Sequence, residues 1–182
     1  RSQAVIEFRL DGTILAANQN FLDTLGYSEA EIVGKHHSMF VDRDYASSAE
    51  YRQFWDRLNR GEFVAEKFQR FGKGGREIWI QASYNPLIGP DGKPYKVIKF
   101  AADVTAAEFE RRRNDEERRA RAAEQAQVVR ALAAGLKSLA AGNLTYEIVD
   151  SFPGEYEELR ADFNRTVDAL QSAMRTIAAG AE

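Results

Sequence analysis

Few side chains in this chain have the types and spacing needed for chemistry, and the first candidates are its two histidines, His36 and His37. Histidine is the usual axial ligand of a haem iron, so this pair keeps haem binding open. The surrounding stretch HHSMFVDRD also contains carboxylates, but they do not fall at the spacing of a metal site. The absence of cysteine excludes disulfides, thiolate catalysis and cysteine-bound metals, and it suits a reducing compartment.

Catalytic motifs are not found in the sequence. No glycine-rich phosphate loop leads from a strand into a helix, and the GKGG stretch at 72–75 lies between two alternating segments, which predicts a hairpin turn. The paired acidic residues fall on predicted helix surfaces, where solvated charge is the ordinary interpretation. We therefore expect that the protein is not an enzyme.

The bulk composition limits the partners of the 182-residue chain. Its formal net charge of -3 leaves no excess of basic residues to neutralise phosphates, so no nucleic-acid partner is expected. No apolar run approaches about 20 residues, and no signal peptide is recognisable. We expect a cytoplasmic fragment of a longer protein, with the full-length protein open to membrane association.

Any such site must be positioned by the first part of the chain, whose predicted strands and helices form an α+β domain. The segments AVIEFRL and TILAAN predict two strands joined by the Asp11-Gly12 turn. Three short helices follow, with Gly26 and Gly61 as stops and Ser28 as a cap. Three alternating segments after Gly61 predict a meander, which completes a five-stranded antiparallel sheet. A small ligand would lie between the helices and the sheet.

The order of these elements resembles a PAS sensor domain over residues 1–105. The resemblance rests on DGTILAANQNFLDTLGYSEAEIVGK, on the GKGGREIWI hairpin and on the closing DVT. It is greatest to the PAS domains of bacterial chemotaxis and aerotaxis transducers. This family implies a sensor whose pocket holds flavin, haem, a small acid or no ligand.

The resemblance also implies positions for a flavin such as FAD. In aerotaxis transducers an Asn ends the second strand, a His follows a Gly in the short helices, and Trp residues lie on the long helix and on the fourth strand. The residues at these positions here are Asn18, His37, Trp55 and Trp79. The transducers continue with an Arg-His-Pro-Asp stretch, whereas this chain has VDRDY.

The chemistry of a flavin ring gives these positions a rationale, although plainer roles stay open. Trp55 could cover the flat apolar face, and the amides of Gln81 or Asn85 could bond the polar edge. Alternatively, Trp55 and Trp79 are core aromatics, Asn18 is a strand-end turn residue, and Gln81 and Asn85 face solvent or the edge of the sheet. The two histidines, His36 and His37, would then cap a helix or pack against the sheet. An empty pocket, a small metabolite and haem remain alternatives to flavin.

The stretch AAEFERRRNDEERRARAAEQAQ predicts a charged linker helix over residues 106–126. Asp103 ends the last strand, and Thr105 is expected to cap this helix through its hydroxyl. In PAS domains the Asp-x-Thr stretch marks the exit through which the signal leaves the core. The helix itself has few apolar residues, and interleaved Glu and Arg support it. It could transmit a signal or act as a passive spacer.

Residues 127–178 resemble a HAMP relay domain. Val129, Leu132, Leu136 and Leu139 form a heptad seam, and a second amphipathic helix starts near Gly154. Two such seams predict a dimeric, parallel four-helix coiled coil. The residues that take the positions of the HAMP connector and of its acidic second-helix start are Gly142, Leu144, Ile148 and Glu155. An ordinary helical hairpin is the alternative.

Together these resemblances predict the sensory and relay part of a bacterial chemotaxis transducer that responds to redox state, oxygen or a small ligand. A homodimer would form through the linker helix and the HAMP bundle. A chemotaxis kinase and a coupling protein would be reached through a module beyond residue 182. The alternatives are the PAS-HAMP input region of a sensor histidine kinase or cyclase, and a PAS domain used only for dimerisation.

Overall fold

A computed structural model describes residues 3–179 of the chain. The chain divides into two compact units, with the boundary between Arg111 and Arg112. No helix among residues 3–179 is both long enough and apolar enough to cross a membrane.

The first unit is built on a five-stranded antiparallel sheet. Its strands are β1 (Ala4–Phe8), β2 (Ile14–Ala17), β3 (Val64–Phe71), β4 (Glu77–Ile88) and β5 (Pro94–Asp103). Their order across the sheet is β2-β1-β5-β4-β3. This arrangement confirms the predicted five-stranded sheet and places β5, the strand that leads into the next helix, at its centre.

Short helices between β2 and β3 cover one face of the sheet. They are α1 (Gln19–Leu25), α2 (Glu29–Ile32), a 3-10 helix (His37–Phe40), α3 (Arg43–Ser47) and α4 (Ala49–Asn59). The predicted Ser28 cap is present and forms a capping box with Glu31. At the start of α4, the Ser48 hydroxyl accepts from the Tyr51 amide. Helix α3, whose cap is the Asp42 carboxylate, was not predicted from the sequence.

Alternation along the strands separates the two faces of the sheet. On β4, Ile78, Ile80 and Tyr84 are buried, whereas Trp79 and Gln81 are partly or fully exposed. Because successive side chains of a strand point to opposite faces, the buried set meets the helices and the other set lies on the outer face. The apolar core of the first unit therefore fills the layer between the sheet and the short helices.

The second unit contains two long helices. They are α5 (Thr105–Ala140), whose first turns belong to the first unit, and α6 (Glu157–Ala179), which follows a 3-10 turn at Gly154–Tyr156. The predicted linker helix and first relay helix are thus one unbroken helix. Gly142 follows the end of α5, with φ of 81° and its amide bonded to the Leu139 carbonyl.

The connector between the helices folds back along α5. Ile148 and Phe152 are buried in a small cluster with Val128 of α5. Further along, the Phe163 ring of α6 lies against Gly135, where an added Cβ would be 2.5 Å from Cζ of the ring. Phe152 thus lies with Val128, and the later Phe163 lies with the later Gly135, so the chain runs along α5 in the direction of α5 itself.

In the first unit the backbone at Gly72 lies very close to the end of α1, so a substitution at this glycine tests the fold. A Cβ at Gly72, which enters the β3–β4 hairpin, would lie 2.5 Å from the Leu25 carbonyl oxygen at the end of α1. We expect Gly72→Ala to lower the free energy of unfolding by about 1–3 kcal/mol, because a backbone atom must move. Urea unfolding of the variant measures this loss.

The matched control is Gly89→Ala at the entry of the β4–β5 hairpin. There the nearest atom is Oδ1 of Asp91, at 3.0 Å, on a surface side chain that can move aside. We expect a smaller loss for this variant. Equal stability of the two variants would contradict the described packing of α1 against the hairpin.

Candidate functional site

A hydrogen-bonded histidine lies in the core of the first unit. His37 is fully buried, its Nδ1 lies 2.8 Å from the Tyr51 hydroxyl oxygen, and its Nε2 lies 2.9 Å from the Tyr84 hydroxyl oxygen. The 3-10 helix holds the histidine, α4 supplies Tyr51, and β4 supplies Tyr84. The site therefore ties the helical layer to the middle of the sheet.

Arg70 extends this network from β3, although only 3% of its surface is exposed. Its Nη2 donates to the Tyr84 hydroxyl at 3.1 Å, and its Nη1 donates to the Gln69 carbonyl at 2.7 Å. The guanidinium carbon lies 4.6 Å from the centre of the Phe68 ring. The Nε–H group has no hydrogen-bond partner in the described part of the chain.

Lys99 brings a second basic side chain into the same layer from β5, where it pairs with Tyr84 of β4. It is 1% exposed, and its Nζ lies 4.8 Å from the centre of the Tyr84 ring and 5.5 Å from that of Phe21. Burial lowers the pKa of Lys99 well below its ordinary value, and the nearby charge of Arg70 lowers it further. Burial and Arg70 thus both favour the neutral amine of Lys99.

The same environment keeps His37 neutral. Burial lowers its pKa well below 6.5, and the positive charges of Arg70 and Lys99 act in the same direction. Burial also raises the pKa of the Tyr84 hydroxyl and raises that of Tyr51 to about 12. Both hydroxyls are therefore protonated near pH 7, and the site carries positive charge on its arginine.

Aromatic rings surround these polar groups. The Phe8 ring lies edge-on to His37 at 5.3 Å and to Trp55 at 5.8 Å, and the Phe54 ring lies edge-on to Tyr84 at 4.9 Å. Trp55 is 7% exposed and lies 5.5 Å from His37 between ring centres. The structure thus brings together His37 and Trp55, two of the predicted site residues.

The other predicted cofactor residues lie elsewhere. Asn18 caps α1, with its Oδ1 accepting from the amides of Phe21 and Val5. Trp79, Gln81 and Asn85 alternate with the buried residues of β4 and lie on the outer face of the sheet. The predicted set therefore does not converge on one pocket.

This placement bears on the cofactors predicted from the sequence. A flavin between the helices and the sheet would contact Trp55 but not the edge amides Gln81 and Asn85. A haem iron bound by His37 would have to displace a tyrosine hydroxyl, since both ring nitrogens are hydrogen-bonded. The residues do not fit either group as a set, and flavin binding stays a prediction.

A second cluster joins the sheet to α5. The Asp103 Oδ1 accepts from the amide of Thr105 at 2.9 Å and from its hydroxyl at 2.5 Å. The Thr105 hydroxyl in turn accepts from the Trp79 amide at 2.9 Å, and the Val104 amide donates to the Trp79 carbonyl at 2.8 Å. Thr105 was expected to cap the helix through its hydroxyl; instead Asp103 accepts from the first helical amide and Thr105 holds α5 to β4.

An ion-paired glutamate strengthens this joint. Glu108, on the first turn of α5, is 2.5 Å from Nζ of Lys67 on β3 and 2.6 Å from Nη2 of Arg111. Hydrogen bonds from Arg111 and Lys67 lower the pKa of Glu108 to about 2, so it is charged at neutral pH. The start of α5 is thus fixed to both β3 and β4.

The predicted relay residues of the second unit occupy the connector. Ile148 is buried, its amide donates to Oδ1 of Asn164, and its carbonyl accepts from Nδ2 of Asn164. Leu144 is half-buried. Glu155 lies in the 3-10 turn before α6, but the carboxylate that accepts from the Phe152 amide belongs to Glu157.

Sequence reasoning missed Arg70, Lys99, Tyr51 and Tyr84. A signal was present for the two cations, because Arg70 follows Val64 and Phe68 at even spacing and Lys99 lies between Val97 and Ala101. Even spacing places them on the apolar face of their strands. Their meeting with His37 depends on tertiary pairing over tens of residues.

Comparison with known proteins agrees with this geometry. Residues 14–101 match the family model of the PAS fold. A PAS domain from Colwellia psychrerythraea (19% identity, TM-score 0.51, 57% of this chain and 87% of that one) has the same fold. So does a light-oxygen-voltage domain studied with a flavin analogue (20% identity, TM-score 0.51, 65% of this chain and 89% of that one). The first unit is a PAS domain.

Three of the curated relatives are bacterial proteins. The chain is 50% identical to the biofilm dispersion protein BdlA of Pseudomonas aeruginosa over 105 residues, 58% of this chain and 25% of the relative. It is 46% identical to the chemoreceptor McpA of Caulobacter vibrioides over 55 residues, 30% of this chain and 8% of the relative. It is 41% identical to a probable chemoreceptor, y4sI, of Sinorhizobium fredii over 76 residues, which are 42% of this chain and 10% of the relative. The chain spans a quarter or less of the length of these relatives.

The neutral buried histidine predicts a specific pH dependence of stability. Because the pKa of His37 is lowered by folding, the unfolded chain takes up a proton below about pH 6.5 that the folded chain does not. This proton uptake by the unfolded chain destabilises the native protein as the pH falls from 7 to 5. His37→Gln, whose amide can still bond both tyrosines, lacks this contribution.

Urea unfolding of both proteins at pH 7 and pH 5 measures the difference. The two proteins have the same carboxylates and the same His36, so the contributions of these groups to the pH dependence of stability cancel in the comparison. Parallel loss of stability in the two proteins would show that His37 titrates in the folded state as it does in the unfolded chain.

Proposed function

We propose that this chain is the sensory and relay part of a bacterial chemotaxis transducer. The PAS domain senses redox state, oxygen or a small ligand, and α5 passes the signal to a HAMP-like bundle. The similarity to BdlA and to two chemoreceptors supports a role in chemotactic sensing. Control of a chemotaxis kinase through a coupling protein, from the cytoplasm, is proposed for the full-length protein.

The observation that supports the proposed relay is the hydrogen-bonded joint formed by Asp103, Thr105 and Trp79. Trp79 lies five residues before Tyr84 on β4, and Asp103 lies four residues after Lys99 on β5. Both strands of the joint therefore also carry residues of the buried site. A rearrangement in the core shifts these strands, and the joint passes the shift to the first turn of α5.

The second unit supports a HAMP-like relay by its chain path. Two helices run in the same direction, Gly142 ends the first, and the connector packs back through Ile148 and Phe152. Asn164 holds the connector to α6 through two hydrogen bonds with Ile148. This path is the one that a parallel bundle of paired subunits requires.

The apolar surface of the second unit supports a homodimer. Six large apolar side chains on α5 and α6 are between 45% and 68% exposed: Val129, Leu136, Leu159, Leu170, Met174 and Ile177. Such a stripe is unfavourable in water, and a second copy would cover it in a four-helix core.

Replacing Thr105 tests the relay. Thr105→Val keeps the shape of the side chain but removes the hydroxyl that Asp103 and Trp79 share, so coupling between the sheet and α5 should weaken. We expect the kinase activity supported by the full-length protein, reconstituted with its chemotaxis kinase and coupling protein, to change by at least about fivefold.

The control for this experiment is Thr176→Val, since that hydroxyl bonds only the Ser172 carbonyl of its own helix among the described contacts. Kinase activity of the control should equal that of the unmodified protein. Unchanged activity in Thr105→Val, with the fold intact by circular dichroism, would contradict the relay.

Replacing Leu170 tests the dimer. The side chain is 45% exposed in the single chain, so Leu170→Asp removes little of the chain's own core. In a dimer it would place a carboxylate in the shared core. We expect dissociation to become at least about tenfold more favourable in analytical ultracentrifugation, equivalent to about 1.4 kcal/mol.

Ser172→Asp adds the same charge two residues away and should leave the dimer unchanged. A monomeric unmodified chain, or equal dimerisation of the Leu170 and Ser172 variants, would contradict the paired bundle.

A further inference from the structure

Helix α5 contains a stretch that its own chain leaves uncovered. All residues 116–127 are exposed, whereas the next residue, Val128, is 3% exposed in the cluster with Ile148 and Phe152. A helical segment of about this length is only marginally stable in water unless a packed face supports it. The stretch therefore needs a covering surface that residues 3–179 of one chain do not supply.

Two faces of α5 differ in what covers them. Val128 contacts the connector and Gly135 contacts the Phe163 ring, and these two positions are seven residues apart. Val129 and Leu136 are also seven residues apart, and both are 59% exposed. Because seven residues are close to two helical turns, each pair defines one line along the helix. The line through Val129 and Leu136, called here the open line, is the one that a second copy would cover.

Towards the N-terminus of α5 the open line changes from apolar to charged. Alternating steps of four and three residues back from Val129 lead to Gln125, Ala122, Arg118 and Asp115. All four positions line one open groove of about 1040 Å³, beside the turn Gly154–Tyr156. The same face of α5 therefore has an apolar half and a half that carries a carboxylate and a guanidinium three residues apart.

This face is complementary to itself. A two-fold interface places the same patch on both sides, so the apolar half of one copy meets the apolar half of the other. In the charged half the two signs alternate along the axis, and a face of uniform charge would instead repel its copy. The chemistry of the open line thus fits a second α5 as its occupant.

We propose, on the basis of the homodimer proposed above, that the two α5 helices lie side by side in parallel and in register, and that Asp115 and Arg118 of both copies form one interchain charge network. In register, the Asp115 layer and the Arg118 layer are separated by about 4.5 Å along the axis. An arginine side chain spans that step, so each guanidinium reaches the carboxylate of either copy. Two carboxylates and two guanidiniums then balance one another.

The network gives the pairing its register. A shift of one heptad would place Asp115 opposite Ala122 and Arg118 opposite Gln125, and the interchain charge pairs would be lost. The apolar half does not exclude this shift, since Val129 would then meet the equally apolar Leu136. The relay is therefore limited to movements that keep the two helices in register.

Sedimentation equilibrium of charge variants tests the network. Asp115→Leu or Arg118→Leu leaves one charge in the interface without its counter-charge, so each should raise the dissociation constant of the dimer at least about fivefold. The double variant should dimerise as tightly as the unmodified chain or more tightly, because both charges are gone and the apolar line is longer.

The matched control is the ion pair of Arg113 and Glu117. Their side chains are 3.9 Å apart, 71% and 56% exposed, and lie off the open line. Leucine at either position, or at both, should leave the dissociation constant unchanged, because added apolar surface alone does not drive the association. An equal response of the control pair would overturn the proposal.

Two other outcomes would also overturn it. One is unchanged dimerisation in both single variants, which is the result expected if the groove takes a helix of another protein. The other is additive loss in the double variant, which would show that Asp115 and Arg118 act independently of each other.

The absence of cysteine from the chain allows a test of register. Ala122 and Ala120 are both exposed in the single chain, but only Ala122 lies on the open line. With an added oxidant, Ala122→Cys should form a disulfide-linked dimer at least about tenfold faster than Ala120→Cys, because its two thiols meet in the in-register pair. Adding the double substitution at Asp115 and Arg118 should slow this linking. Equal rates for the two cysteine variants, or no slowing, would overturn the proposed register.

These outcomes separate the network from the proposed function. If Leu170→Asp weakens the dimer and the Asp115 and Arg118 variants do not, the homodimer stands and the network fails. If the Asp115 and Arg118 variants respond as expected and Thr105→Val leaves kinase activity unchanged, the network stands and the relay fails. A monomeric unmodified chain would overturn the network together with the paired bundle.

Discussion

Tyr84 is the point on which the rest of the PAS domain depends. It is fully buried at the middle of the sheet, and its hydroxyl lies within hydrogen-bonding distance of both His37 and Arg70. Its ring faces Lys99 of the neighbouring strand and packs edge-on against Phe54 of α4. A single side chain thus links the helical layer to the two buried basic residues, Arg70 and Lys99, and a movement of either residue acts on Tyr84.

The route from this point to α5 is short and follows two adjacent strands. β4 carries both Tyr84 and Trp79, and β5 carries both Lys99 and Asp103. Side chains on the inner face form the charged layer, while the backbone of Trp79 and the side chains of Asp103 and Thr105 form the joint. The two ends share the hydrogen-bonded ladder of β4 and β5, and the proposed coupling between Tyr84 and the start of the helix rests on this ladder.

Sequence patterns predicted the architecture better than the site, for physical reasons. Period-two alternation and local turn or cap chemistry specify strands, the Asp11-Gly12 turn and the Ser28 cap, since each depends on neighbours a few residues away. The site depends on contacts such as His37 with Tyr84, 47 residues apart, which no local pattern encodes. Alternation alone did contain one further signal, since Trp79 and Tyr84 are an odd number of residues apart and so face opposite sides of the sheet.

Hydrogen–deuterium exchange at the amides of Trp79, Val104 and Thr105 tests most directly whether the charged layer and the joint are coupled. The comparison is between the unmodified chain and Lys99→Met, with Lys96→Met as the reference for a lysine lost from the outer face of the same strand. The account predicts a changed exchange rate at these three amides when Lys99 is replaced and none when Lys96 is replaced. Equal exchange in all three proteins would contradict the coupling of the PAS core to α5.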